Sequence, residues 1–195
     1  MKNMWNLRYS QEEYVYGKKA NEFFMEEIQK LKPGKILLPG EGEGRNAVCA
    51  AKLGWDVVAF DSSVEGKKKA EKLALKNNVN IDYRLLSYEE ISFEDNSFDL
   101  VSLIFTHSML RNSLHENLTR ILKPGGLIIL EGFSKKQIDK NTGGPQNIDL
   151  LFSREELDAD FHELSDVQIM EKDIILDEGI HHKGEASIIR LIGKK

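Results

Sequence analysis

The sequence predicts an α/β fold: a doubly wound, mostly parallel seven-stranded sheet with an antiparallel C-terminal hairpin and helices on both faces, three layers in all. Three observations predict it. Between Lys35 and Leu130, short apolar runs alternate with amphipathic helical patterns, as βαβ crossovers require. The first apolar run ends in glycines at alternate positions, Gly40, Gly42 and Gly44, and a helical pattern follows at once. Two later β-rich runs, Val167 to Leu176 and Ala186 to Ile192, are joined by a glycine-containing turn and read as a hairpin.

Length and composition set the bounds. The 195 residues suffice for one domain, residues 1–195, and are short for two. With 41% hydrophobic and 30% charged residues, the composition is that of a globular protein. A formal charge of −5, from 27 basic and 32 acidic side chains, argues against a nucleic-acid partner, which needs a basic face. Cys49 is the sole cysteine, so no internal disulfide is expected and a reducing, cytoplasmic setting is the natural reading. Its expected role is a small buried residue; a reactive thiol is the alternative. Neither an apolar leader nor a membrane partner is expected. The assembly expected is a monomer or homodimer.

Residues 1–31 form an N-terminal arm and helix. The lead-in carries Trp5, Tyr9, Tyr14 and Tyr16, and Ser10-Gln-Glu-Glu13 fits a capping box that would open a helical turn. From Lys18 to Leu31, Ala20, Phe23, Phe24, Ile28 and Leu31 recur at helical spacing, and Pro33-Gly34 stops the helix. The aromatics are either a packed arm or a lid over a ligand. Lys35 to Leu38 is the first strand, and the helix after the glycine turn runs from Arg45 to Leu53. Asp56 to Phe60 is continuously apolar after its first residue, as a strand buried on both faces should be. It ends at Asp61, with Ser62 and Ser63 as caps for a helix from Val64 to Asn77. Lys67, Lys68 and Lys69 there read as a solvated face.

Ile81 to Leu86 is the third strand, followed by Ser87-Tyr88-Glu89-Glu90 as a turn or short helix. Phe98 to Phe105 is the most apolar strand and the central one. A helix from Met109 to Leu122 stops at Lys123-Pro-Gly-Gly126, and Leu127 to Leu130 is the fifth strand. Residues 133–151 form a long polar loop containing Asn141-Thr-Gly-Gly-Pro145, expected on the substrate side. Its Gly143-Gly144 is a lid hinge or part of an ordinary mobile loop. Ser153-Arg-Glu-Glu156 is a capping box opening a helix to Phe161.

Sheets of this kind bind ligands beyond the carboxyl ends of their strands. Gly40 to Gly44, Asp61, Ser87-Tyr88 and Phe105 to His107 all fall at such ends. The ligand is not a dinucleotide: that fingerprint needs a glycine where this chain has Arg45.

The ordered set Gly40-x-Gly42-x-Gly44, Asp61, Phe98-Asp-Leu-Val101 and Leu122-Lys-Pro-Gly-Gly-x-Leu-Ile resembles the class I methyltransferases that use S-adenosylmethionine (SAM). Their sheet is Rossmann-like with a terminal antiparallel pair. More narrowly, Tyr14-x-Tyr-Gly17, Gly-Glu-Gly-Arg-Asn46 and Thr142-Gly-Gly-Pro followed by Leu150-Leu-Phe-Ser153 resemble small bacterial TehB-like (tellurite-resistance, thiopurine-type) methyltransferases. The resemblance implies SAM as cofactor and S-adenosylhomocysteine (SAH) as product. It implies that Gly40, Gly42 and Gly44 admit the methionine and ribose of SAM. It implies that Asp61, next to Ser62, accepts from the ribose hydroxyls and that Ser87 and Tyr88 read the adenine edge. Phe105 would line the methionine end. Arg45 would pair with the SAM carboxylate; an ordinary surface arginine is the alternative.

Two positions depart from the family pattern. Serine stands at 87 where an aspartate is usual. Leu38 stands where an acid usually holds the SAM amino group, so Glu41 or Glu43 would have to substitute.

The expected activity is methyl transfer to a small molecule. The nucleic-acid methyltransferase signature Asp/Asn-Pro-Pro-Tyr is absent, and Phe105-Thr-His-Ser stands in its place. A soft nucleophile, such as a thiol or a tellurite- or selenite-type oxyanion, attacks without a general base. A hydroxyl or amine needs one. The expected base is His107, because the end of the fourth strand faces the methyl group in this family; His181 and His182 are alternatives. No metal site is expected, since His181-His182 lacks a third ligand at characteristic spacing. The competing expectation, motivated by Leu38 and Ser87, is a domain that binds or senses SAM without transferring a methyl group.

Overall fold

The computed structural model describes residues 2–140 and 142–195. Met1 of the lead-in and Asn141 of the Asn-Thr-Gly-Gly-Pro run lie outside the described residues. Seven strands form one sheet: β1 (Lys35–Pro39), β2 (Asp56–Asp61), β3 (Asp82–Leu85), β4 (Phe98–Ile104), β5 (Leu122–Phe133), β6 (Ser165–Asp177) and β7 (Lys183–Lys194). Their order is β3-β2-β1-β4-β5-β7-β6. The first five are parallel, and β7 pairs antiparallel with both β5 and β6. The order reverses between β1 and β4, which places the ligand crevice of such a sheet at their carboxyl ends.

Alternation along the buried strands sorts the core into two layers. Leu37, Val58, Phe60, Val101 and Leu103 face one side, where α5 (Arg111–Ile121) and α6 (Arg154–Asp160) pack through Leu114, Leu118, Leu157 and Phe161. Ile36, Leu38, Val57, Ala59 and Leu100 face the other, against Phe23, Phe24 and Ile28 of α2 (Glu22–Ile28) and Ala47 and Ala50 of α3 (Arg45–Lys52). Leu38 is 1% exposed in this second layer; its place in the strand is an apolar one, which explains why no acid stands there.

Local capping sets the helix boundaries. Asn21 Oδ1 accepts from the Phe24 amide at 2.9 Å, so α2 starts there and not at Lys18. Ser63 caps α4 (Val64–Lys76) by accepting from the Gly66 amide at 3.1 Å. The expected box at Ser153 and Glu156 is present at the start of α6.

The box expected at Ser10 is not. A helix, α1 (Lys2–Tyr9), precedes it, and the Ser10 hydroxyl donates to the Leu7 carbonyl at 2.8 Å. Serine here satisfies a carbonyl at a helix end where the sequence suggested an amide at a helix start. The loop of residues 133–151 holds two short 3₁₀ turns, Lys135–Gln137 and Ile148–Leu150. Among the described residues no helix is long and apolar enough to cross a membrane.

Candidate functional site

Gly40, Gly42 and Gly44 have φ of +63°, +59° and +85°, a region that side chains avoid. Gly44 is required by packing, since a Cβ there would lie 2.5 Å from Ala70 Cβ on α4. Asp61, at the carboxyl end of β2, faces the same turn. Its Oδ2 accepts from the Gly42 amide at 3.2 Å and its Oδ1 from the Ser63 amide at 2.8 Å. Burial raises the Asp61 pKa, opposed by the amides of Ser63, Gly42 and Ser62. Single backbone amides of this kind leave lone pairs of the carboxylate for other donors.

Two phenols cover the turn. Tyr9, at the end of α1, is 5% exposed. Its hydroxyl lies 2.6 Å from where a Gly42 Cβ would stand. Burial raises its pKa well above the ordinary phenol value, and the neighbouring Asp61 adds to the shift. Tyr88 brings its hydroxyl over Gly40, beside Thr106. Helix α1 is fastened to the start of α4: Asn6 Oδ1 accepts from the Ser63 hydroxyl at 2.8 Å. Trp5 stacks on Tyr9 with ring centroids 5.5 Å apart.

The charged residues of the loop are turned into the fold. Glu41 Oε1 accepts from the Asn46 and Ala47 amides, both at 2.8 Å, and so caps α3. Burial raises its pKa to about 7, against the pull of those amides. Glu43 pairs with Lys69 at 2.8 Å and accepts from the Tyr16 amide. Both acids are thus engaged by protein groups. Arg45 donates to the Tyr16 carbonyl at 3.1 Å and to Glu178 Oε2 at 2.8 Å, so its guanidinium is directed to the hairpin and not into the crevice. Ser87 caps the 3₁₀ turn Tyr88–Glu90, with its amide and hydroxyl both donating to Glu90 Oε2 at 2.8 Å.

A second polar cluster lies where the N-terminal arm, β5 and the β6–β7 hairpin meet. Asn21 Nδ2 donates to Glu131 Oε1 at 2.6 Å and to Glu178 Oε1 at 2.9 Å. Glu131 also accepts from Arg190 at 2.6 Å. His182 is 6% exposed, with Nδ1 3.5 Å from Glu178 Oε2. Its ring packs against Phe105 at 4.5 Å and Tyr16 at 4.6 Å between centroids. Burial lowers its pKa and so keeps the imidazole neutral at pH 7, although Glu178 pulls the other way. Burial alone would raise the Glu178 pKa, but His182 and Arg45 override it and hold the carboxyl at about 2. Phe105 has φ +53°, a strained value for an aromatic residue and one that concentrates at functional sites.

His107 is differently placed. Its Nδ1 lies 2.7 Å from the Leu150 carbonyl, and its Nε2 accepts from the Phe133 amide at 3.2 Å. Burial pushes its pKa down to about 4. Both ring nitrogens are committed to the backbone, so the lone pair a base needs is occupied. Sequence reasoning missed Asn21, Glu131 and Glu178 as partners of this site. The signal was faint: an asparagine and two acids far apart in the chain.

A family model described as a methyltransferase domain matches residues 37–130. The matched stretch takes in the glycine turn, Asp61 and Tyr88. A ubiquinone biosynthesis O-methyltransferase of Xanthomonas oryzae is 32% identical over 108 residues, covering 54% of this chain and 45% of that protein. The chain thus spans under half the length of that curated relative. A ubiquinone/menaquinone C-methyltransferase of Pseudoalteromonas translucida is 39% identical over 77 residues, 37% of this chain and 29% of that one. Among solved structures, a SAM-dependent methyltransferase from Methanosarcina mazei superposes with a TM-score of 0.69 at 18% identity, covering 91% of this chain and 98% of that one. TehB from Haemophilus influenzae gives 0.71 at 17% identity, covering all of this chain and 66% of that one. These structures share the fold.

Within the matched stretch the donor set suits SAM, the cofactor of such methyltransferases. A buried carboxylate with free lone pairs stands at the end of β2, next to a left-handed backbone that favours glycine. The space above that backbone is taken by Tyr9 and Tyr88.

Proposed function

We propose that the chain transfers the methyl group of SAM to a small-molecule acceptor and releases SAH. The observation that carries this is Asp61 facing the Gly42 amide at the end of β2, inside the stretch that matches a methyltransferase-domain model. When bound, SAM supplies a methyl group already activated by its sulfonium. Asp61 holds the ribose, and Gly40 and Gly42 let the backbone close on it. Ser62, beside Asp61, borders that contact, and Phe105 lines the methionine end. Helix α1 has to swing out for entry, because Tyr9 stands on Gly42.

On the acceptor side His182 is the proton acceptor. Glu178 Oε2 lies 3.5 Å from its Nδ1, near enough to favour a proton on that nitrogen and leave Nε2 as the basic one. The rings of Tyr16 and Phe105 keep water from it. A neutral imidazole suits an acceptor that loses a proton on methylation, a hydroxyl or amine. The name of the ubiquinone-biosynthesis O-methyltransferase supports a hydroxyl acceptor more than a thiol or a tellurite-type oxyanion.

Isothermal titration tests the cofactor half. The wild-type chain should bind both SAM and SAH. Asp61→Asn should weaken both about 10- to 100-fold, the worth of hydrogen bonds to a charged group. Failure of the wild type to bind either would sink the proposal. The covered crevice also favours a second reading, a SAM-sensing domain without turnover. Release of labelled methyl groups to a phenolic or amine acceptor would dispose of that reading.

A further inference from the structure

Away from the crevice, on the outer face of α3, a groove of about 460 Å³ runs between the N-terminal arm and the end of α4. That volume lies within the range of small-molecule sites, about 300–1,000 Å³. Its floor is apolar, with Met25, Val48, Leu53 and Leu73. Its rim carries Lys18, Lys19, Lys52 and Lys76, and no carboxylate is among its lining residues. Neighbouring lysines are matched: Lys30 pairs with Glu27, Lys67 with Glu71, Lys68 with Glu65 and Lys69 with Glu43. The rim lysines have no carboxylate partner among the described residues. Lys18 lies over the Tyr14 ring, and Lys52 reaches only the Asn77 amide oxygen at 3.4 Å. Four uncompensated cations around an apolar trough, on a chain of net charge −5, form a local field opposite in sign to the whole.

We infer that this groove binds a soluble anionic amphiphile, a medium-chain carboxylate whose apolar body lies on Val48 and Leu73 and whose head sits among Lys18, Lys19, Lys52 and Lys76. Both features are required: a bare inorganic anion leaves the apolar floor wet, and a neutral chain leaves the lysines unmatched. Lysine rather than arginine at the rim fits a head held by charge and not by a bidentate fork. The site is separate from the glycine turn and independent of the methyl-transfer proposal. Its one link to the polar cluster at the hairpin is Arg45, which contributes to the groove wall while its guanidinium holds Glu178.

Titration calorimetry on the full chain tests it, with decanoate as probe and decanol and inorganic phosphate as controls. Decanoate should bind at least about tenfold more tightly than either control, and its affinity should fall with added salt. The double variant K52E/K76E changes two exposed rim residues. It should keep the wild-type melting temperature and lose at least about tenfold in affinity for decanoate. Met25→Gln, at the half-buried floor, should lose affinity with the charge of the groove unchanged. Saturating SAH should leave decanoate binding intact. The proposal is overturned by equal binding of decanoate and decanol, by undiminished binding in K52E/K76E, by displacement with SAH, or by no binding of decanoate.

Discussion

Glu178 Oε2 lies 2.8 Å from an Arg45 guanidinium nitrogen, joining the β6–β7 hairpin to the first turn of α3 across 133 residues of sequence. The two side chains are only 15% and 9% exposed. Removing the acid leaves a buried guanidinium without its counter-charge, a loss at the low end of the ~3–5 kcal/mol range for broken buried pairs. Glu178→Gln should therefore lower the urea midpoint by an amount equivalent to about 3 kcal/mol at pH 7. The effect should also depend on pH. The folded carboxyl sits at about 2, below the ordinary 4.5. Its stabilisation is complete above pH 4.5 and is lost as the pH falls towards 2. The gap between wild type and variant should close across that window; a gap independent of pH would refute the assignment.

Glu41 acts with the opposite sign. Its folded pKa is raised from 4.5 to about 7, so the folded state holds the proton more tightly than the unfolded chain. That contribution is fully present below pH 4.5 and disappears as the pH rises through about 7. Glu41→Gln keeps a side-chain oxygen for the Asn46 and Ala47 amides and removes the titration. Wild-type stability should decline between pH 5 and 8 by a few kcal/mol, since each tenfold difference in proton affinity is worth about 1.4 kcal/mol, and the variant should stay flat. Denaturant titrations at stepped pH check this.

Tyr9 stands on Gly42, so binding at the glycine turn has to displace it, and Trp5 stacked beside it reports the event. SAH should change tryptophan emission in the wild type, and Trp5→Phe should abolish the change, since the remaining Trp55 is buried at 6% exposure in the core. Tyr9→Ala removes the competing side chain. It should raise SAH affinity by up to about tenfold, as expected when the closed form no longer taxes binding. A weaker complex would mean that Tyr9 holds the ligand and does not exclude it.

The sheet was legible because its signals are local. Apolar runs, Gly54 and the Lys123-Pro-Gly-Gly126 stop each act within a few residues, and Asp61 follows from its place at a strand end. The site was legible only where it is backbone. What Arg45, Glu41 and Ser87 do depends on which partner reaches them first, and in each case a protein group does: Glu178, the α3 amides and Glu90. The Asn21–Glu178 contact spans 157 residues and leaves no periodic trace. Ser10 misled for a simpler reason. A hydroxyl both donates and accepts, so the same residue type closes α1 that would open another helix.

The two buried histidines separate structure from chemistry. His107 bonds the Leu150 carbonyl and the Phe133 amide, stitching the loop of residues 133–151 to the ends of β4 and β5. His107→Gln should cost about 1–3 kcal/mol, the penalty of leaving buried backbone groups unpaired, with kcat per folded molecule largely kept. His182 has no such backbone bonds among the described residues; its partner is Glu178 at 3.5 Å. His182→Gln, at a buried ring packed on Tyr16 and Phe105, should also cost stability, and per folded molecule it should lower kcat about 10²- to 10⁴-fold with a hydroxyl or amine acceptor. The pH profile distinguishes a base from a spacer. The wild-type rate should fall on the acid side as His182 protonates, and that limb should be absent from the residual activity of the variant. Should His107→Gln abolish turnover in folded protein while His182→Gln retains it, the base is His107 and the hairpin is only a clasp.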